Sequence, residues 1–260
     1  MITLGADPEL FLMKDGSPVT PKGLIQGSKK FPQPVNNGSI QMDGTAAEFN
    51  IDPSFTPEQF SKNIDEVLNQ LLSITDCTYD TVVTRHWGVE ALSKMSRDEV
   101  ELGCDPDYNA YTLKKNPRPS SKVDFRTAGG HIHVGFVDDG DESEGYKNFL
   151  SPLVKILDEQ IGVPSLFWDG DKERRTLYGK AGAYRPKPFG VEYRSLSNAW
   201  VPHVDVREFL FEQAEKSVRL FQEGYVPETC EAQNIIDNND MLAAHIFCNK
   251  KGIDVDDIRR

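Results

Sequence analysis

Three short segments hold the residues best able to do chemistry: Gly5-Ala-Asp7-Pro-Glu9, Gly130-His131-Ile-His133 and Gly190-Val-Glu192-Tyr-Arg194. Each sets two polar residues two positions apart among apolar or small neighbours. On a β-strand, side chains at i and i+2 point the same way, so each segment offers a dyad to one face of a sheet. A fourth segment, residues 41–51, adds Asp43 and Glu48. Taken singly, each pair has an ordinary reading. Asp7 and Glu9 would be surface acids on an edge strand beside Pro8, and a lone His-x-His is as often structural as metal-binding. Glu192 and Arg194 would be a solvated ion pair. Their combination on separate apolar strands points instead to one shared cleft. Carboxylates gathered there repel one another unless cations neutralise them, which is the physical case for a divalent metal site. Mostly oxygen donors with one or two imidazoles suit Mg²⁺ or Mn²⁺, whereas structural zinc favours a cysteine-rich cluster that this sequence lacks.

Just before the Glu192/Arg194 segment runs a cationic, glycine-containing stretch with Arg174, Arg175, Lys180 and Arg185. Arginine forks match phosphate oxygens, and the glycines permit close backbone approach. A basic surface loop is the ordinary alternative. No Walker-type or Gly-x-Gly-x-x-Gly pattern is present, which disfavours a P-loop or Rossmann nucleotide site.

The elements that must position these groups are legible in outline. Residues 2–13 read as a buried strand, 17–38 as loop, and 39–51 as a second strand interrupted by a turn or bulge at Asp43-Gly44. Thr56-Pro57-Glu58-Gln59 is a capping box, followed by an apolar stripe of Phe60, Ile64, Val67, Leu68, Leu71 and Leu72 at helical spacing. A strand is expected over 79–90, a polar excursion over 91–125 and a strand over 125–137. Next come a helix over 146–161 with Pro152 near its first turn, loop over 172–189 and a strand over 190–197. Two further helices are expected over 205–223, with Asp205 as N-cap and Gly224 as stop, and over 230–250. Together these imply a single α+β domain over 1–260, with a mostly antiparallel sheet and helices on one face, an insertion around 91–125 and a helical segment over 205–250.

The chain has 260 residues, and its 29 Lys+Arg against 41 Asp+Glu give a net charge of −12, which argues against nucleic acid or an anionic membrane as partner. No apolar run approaches the ~20 residues of a membrane span, and the N-terminus lacks the pattern of a signal peptide. Cys77, Cys104, Cys230 and Cys248 are widely spaced, as expected of a reduced cytoplasmic chain.

In this order, the motifs resemble the glutamine synthetase / glutamate–cysteine ligase superfamily, and specifically its phage-type carboxylate–amine ligases (amidoligases). Residues 5–12 are similar to that superfamily's first active-site strand, residues 130–135 to its histidine strand and Glu192-Tyr-Arg194 to its closing Glu-x-Arg strand. Leu102-Gly-Cys-Asp-Pro-Asp-Tyr-Asn-Ala110 resembles a segment of the phage branch. The resemblance implies a curved sheet with the active site on its concave face, ATP as co-substrate and two or more Mg²⁺ or Mn²⁺ ions. It implies metal ligation by Glu9 with Glu48 and Asp43 on the acceptor side, and by Asp7, His131 and Glu192 on the nucleotide side. His133, Arg175, Lys180, Arg185 and Arg194 would touch the nucleotide. Glu48, Arg185 and Arg194 would be catalytic, and Asp43, Asp107 and Asn109 would face the substrate. If the chain is phage-encoded, the host cytoplasm is the expected location.

The chemistry so implied is ATP-dependent amide formation through an acyl phosphate, with small-molecule or peptide carboxylate and amine substrates. Cys104 is not needed as a nucleophile. A metal-dependent hydrolase is the first alternative, because His-x-His with acids also activates water. A non-catalytic structural or binding protein is the second.

Overall fold

β1 (Thr3–Lys14) is the strand around which the sheet is organised in the structure, a computed structural model. The described residues are 2–100, 107–117, 123–137, 139–141, 143–227 and 229–259. Cys104 and the first part of the 102–110 motif lie outside them. Leu4, Ala6, Leu10 and Leu12 of β1 enter the main hydrophobic core, so the alternation of a strand turns Asp7 and Glu9 to the opposite face.

After β1 come β2 (Ser17–Val19), β3 (Gln33–Val35), β4 (Gly38–Asp43) and β5 (Ala46–Ile51). The single strand expected over 39–51 is therefore a hairpin, turned at Gly44 with φ +60°, a conformation glycine adopts without steric cost. Helix α1 (Pro57–Thr75) begins as expected, with Gln59 N–H donating to Thr56 Oγ1 at 3.2 Å. Its stripe of Phe60, Ile64, Val67, Leu68 and Leu71 is buried.

Residues 79–90 are not one strand. They contain the end of β6 (Thr78–Asp80), β7 (Thr84–His86) and the start of α2 (Val89–Lys94). The excursion then holds α3 (Arg97–Val100), β8 (Tyr108–Asn109) and β9 (Lys114–Lys115). The strand expected over 125–137 is divided into β10 (Phe125–Thr127), which pairs with β7 in a small separate sheet, and β11 (Gly130–Gly135). Helix α4 (Glu144–Leu157) carries Pro152 in its interior rather than its first turn, and a π-helical turn over Asp158–Gly162 follows it. The expected 172–189 loop contains α5 (Arg174–Leu177) and β12 (Ala183–Lys187), and β13 (Gly190–Tyr193) completes the site strands. α6 (Val204–Gln222) starts at His203, with Asp205 in its first turn rather than at its cap. The last expected helix is two, α7 (Glu231–Asn238) and α8 (Met241–Lys251), divided at left-handed Asn239.

The main sheet runs β3-β4-β5-β1-β11-β13-β12-β8-β9, with β2 and β6 added along the far end of β1, and its named strand pairs are antiparallel. α1 packs against β4 and β5, α4 against β12 and β13, and α6 bridges α1 and α4. Ile40, Ala47, Phe49, Ile132, Val134, Val191 and Tyr193 point into that helical layer and are buried. Burial of such side chains contributes roughly 1.5–3 kcal/mol each, before the entropy cost of folding. The architecture is thus α+β, with an open, largely antiparallel sheet. No helix among the described residues is long and apolar enough to cross a membrane.

Candidate active site

Strand register assembles the polar dyads into one row. Gln41 of β4 stands opposite Glu48 of β5, and Glu48 opposite Glu9 of β1. Asp7 stands opposite His131, His133 of β11 opposite Glu192 of β13, and Glu192 opposite Arg185 of β12. Directly opposed residues in an antiparallel pair share a face, so these groups line the side of the sheet away from the helices. Gly130 lets β11 press against the 198–200 turn: a Cβ there would lie 2.2 Å from Ser197 O and 2.5 Å from Trp200 Nε1. Trp200 Nε1–H donates to Gly130 O at 3.0 Å, fixing the strand beside His131.

The row contains two clusters of metal-ligand type. Glu9, Asp43 and Glu48 form one, and Asp7, His133 and Glu192 the other, each with its ligand atoms within 4.8 Å of one another. An all-carboxylate set and a two-carboxylate, one-imidazole set both suit a hard divalent cation. Asp7 Oδ1 is buried without a hydrogen-bond donor, as expected of an oxygen shaped for a cation. The donors present therefore fit Mg²⁺ or Mn²⁺.

Burial pushes Glu9 up to about 7, Asp43 adds repulsion, and the 2.8 Å hydrogen bond from Gly129 N–H to Glu9 Oε2 only partly offsets them. Burial followed by the charges of Asp7, Asp43 and Glu9 raises Glu48 well above the usual carboxylate range. The second cluster is balanced differently. Burial would raise Glu192, but Arg194, His133 and Lys187 outweigh it and hold the carboxyl low. Arg194 Nη1 bonds Glu192 Oε1, Lys187 Nζ lies 2.8 Å from Oε2, and Arg185 Nη1 is 3.6 Å from Oε1. Asp7 is also held low: burial would raise it, but His133 and His131 outweigh that.

The two histidines differ. Burial, then Arg194, push His131 down to about 4, so it is neutral at pH 7. Arg194 Nη1 lies 3.2 Å from His131 Nδ1. His131 Nδ1 also lies 3.3 Å from Asp7 Oδ1. For His133, burial would lower the pKa, but Asp7 and Glu192 together outweigh it and the ring is raised. His133 Nε2 is 3.4 Å from Asp7 Oδ2, so His133 completes the Asp7–Glu192 cluster in which His131 was expected. His131 sits beside it, 3.9 Å from Glu192 Oε1.

Other expected residues are placed apart from the cluster. Consecutive residues on a helix point about 100° apart, so Arg174 and Arg175 of α5 diverge. Arg175 is buried facing Asn239 and Gly179 O, with Asp169 at 3.8 Å. Lys180 is exposed on the side of Asp237. Asn109 is committed to a turn: Oδ1 accepts from Tyr111 and Thr112 N–H, and Nδ2 donates to Ala181 O. Asp107 does approach the site, 3.4 Å from Arg194 Nε.

Several site residues escaped the sequence reading. A pocket beside Glu9 and Asp43 is lined by Arg126, Arg174 and Tyr178, together with the expected Arg194. Arg174 donates to Ser195 O and Leu196 O, and burial lowers it to about 10. Lys29 reaches Asp43 from the 17–38 stretch. Lys187 was findable: once 183–187 is read as a strand, Arg185 and Lys187 form a further i, i+2 dyad.

Fold and site together define an α+β protein whose sheet carries two carboxylate-rich clusters of metal-ligand type beside converging guanidinium and ammonium groups. Residues 120–219 match the family model for phage phiEco32-like COOH.NH2 ligase-type 2. The match supports a carboxylate–amine ligase family for this chain, and it includes His131, His133, Arg185, Glu192 and Arg194. Asp7, Glu9, Asp43 and Glu48 lie outside the matched residues. No curated protein matches the chain.

Proposed function

We propose that the protein is an ATP-dependent carboxylate–amine ligase of glutamine synthetase-like fold, forming an amide through an acyl phosphate. The observation that carries this reading is the pair of oxygen-rich clusters side by side on one sheet face, one of them ringed by Arg185, Lys187 and Arg194. Asp7, His133 and Glu192 would hold one divalent ion and Glu9, Asp43 and Glu48 another. Such ions, Mg²⁺ or Mn²⁺, supply positive charge that offsets that of the phosphates.

Arg185, Lys187 and Arg194 bind phosphate oxygens and stabilise charge growing in transfer. The substrate carboxylate attacks the γ-phosphorus and ADP departs. The amine then attacks the acyl carbon and phosphate leaves. The ionised carboxylate of Glu48, whose proton affinity burial and neighbouring acids raise, accepts the amine proton. The pocket lined by Arg126, Arg174 and Tyr178 opens on the Glu9–Asp43 side and seats the substrate. A hydrolase would share the acids but has no need of converging phosphate-type cations.

The test is phosphate release from ATP across panels of carboxylates and amines. The expected result is release that needs both partners, falling about a hundredfold or more in Arg194→Ala. Amide cleavage without nucleotide would favour the hydrolase instead.

A further inference from the structure

The Glu9–Asp43–Glu48 cluster has a cation of its own. Lys29 lies in a tight turn over residues 28–31, closed by Ser28 N–H to Phe31 O and Phe31 N–H to Ser28 O, each 3.0 Å. The arm bearing this turn is built against β4. Met42 N–H donates to Gly27 O at 3.1 Å, and a Cβ on Gly27 would meet Ile40 O at 2.1 Å and Gln33 N at 2.5 Å. Only glycine permits that approach, so the turn is fixed beside the strand that ends in Asp43. Lys29 Nζ consequently stands 2.9 Å from Asp43 Oδ2. The Asp43 side chain is 13% exposed and that of Lys29 43%, so a part-exposed ammonium reaches a mostly buried carboxylate of the cluster. Its charge also acts on Glu9, opposing the rise that burial imposes there.

Lysine is a flexible single charge, whereas a divalent ion carries twice that charge and is bound by several oxygens at once. Both cannot occupy the space against Asp43 Oδ2. We propose that Lys29 is the built-in counter-ion of the Glu9–Asp43–Glu48 cluster, and that a divalent cation loads there by displacing its ammonium from Asp43. This rests on the metal reading of the cluster and is independent of the nucleotide. Removing Lys29 then has two effects of opposite sign. The metal meets no competitor and binds more tightly, while the metal-free carboxylates lose neutralisation and the metal-free protein loses stability. A merely structural lysine would not produce that pairing.

The experiment is calorimetric titration of Mn²⁺ alone, without nucleotide, into the wild-type chain, Lys29→Met and Lys29→Arg. Melting in EDTA provides the second readout, and circular dichroism checks the fold. The expected result for Lys29→Met is affinity at one site raised on the order of tenfold, with the other site unchanged and a lower metal-free melting temperature. Lys29→Arg stays near wild type. Equal or weaker Mn²⁺ binding by Lys29→Met, with wild type binding normally, overturns the proposal and leaves the metal reading intact. If neither wild type nor Lys29→Met binds Mn²⁺, the metal reading fails and takes the exchange with it.

Discussion

Glu9 and Glu48 face each other across neighbouring strands with Asp43 beside them, so the metal-free cluster opposes folding. A carboxyl raised in the folded state binds more protons there than when unfolded, so stability falls as pH rises from the unfolded pKa to the folded one. Glu9, at about 7, and Glu48, raised well above the usual carboxylate range, therefore destabilise the metal-free chain progressively as pH rises toward neutral. The raised His133 acts in the same direction, because its stabilising proton is lost as pH rises. His131, lowered to about 4, opposes this only below its unfolded pKa of about 6.5. Asp7 and Glu192, held low, add no slope above about pH 5. Melting in EDTA should therefore show a falling midpoint from about pH 6.5 to 8. Saturating Mg²⁺ should flatten the slope, leaving the part due to buried Asp158, which burial raises to about 7. A midpoint that rises over this interval would contradict that cluster electrostatics. Glu48→Gln should raise the metal-free midpoint at pH 8 by a few degrees, for ~1–2 kcal/mol of relieved burial, while weakening divalent-ion binding.

At the scale of elements, β11 positions the histidines only because Gly130 lets it lie against the 198–200 turn. Gly130→Ala should cost about 1–3 kcal/mol through overpacking, read as a lower melting temperature with an altered His131 ring signal by NMR. Wild-type stability in that variant would show that the contact yields freely. The alternating dyads on β1, β11 and β13 were legible because a strand's period of two is written directly in the residue types. Which histidine joins which acids was not, since His131 and His133 share a face and only register sets His133 opposite Glu192. β12 was missed because Pro186 and its charged neighbours speak against a strand. Pairing with β13 on one side and β8 on the other overrides that local preference. Arg175 was preferred to Arg174 because a loop reading carries no helical phase, and the short turn of α5 decides between them.

Over the whole molecule, an acidic chain of net charge −12 gathers Lys29, Arg126, Arg174, Arg185, Lys187 and Arg194 around one sheet face. The expected α+β class and mostly antiparallel sheet follow from strands separated by long excursions, and the order of the sheet follows from hairpins and register that composition does not encode. Lys29 was illegible for that reason: a lysine in a Gly/Pro/Ser-rich stretch gains its meaning only when Gly27 packs the arm onto β4. We propose that this face binds ATP through divalent cations. The most direct test is calorimetric titration of a non-hydrolysable ATP analogue with Mg²⁺ and, separately, in EDTA. Binding that requires Mg²⁺ and weakens at least about tenfold in Glu192→Ala and in Arg194→Ala is the expected result. A folded, Mg²⁺-loaded protein that does not bind the analogue would contradict the claim.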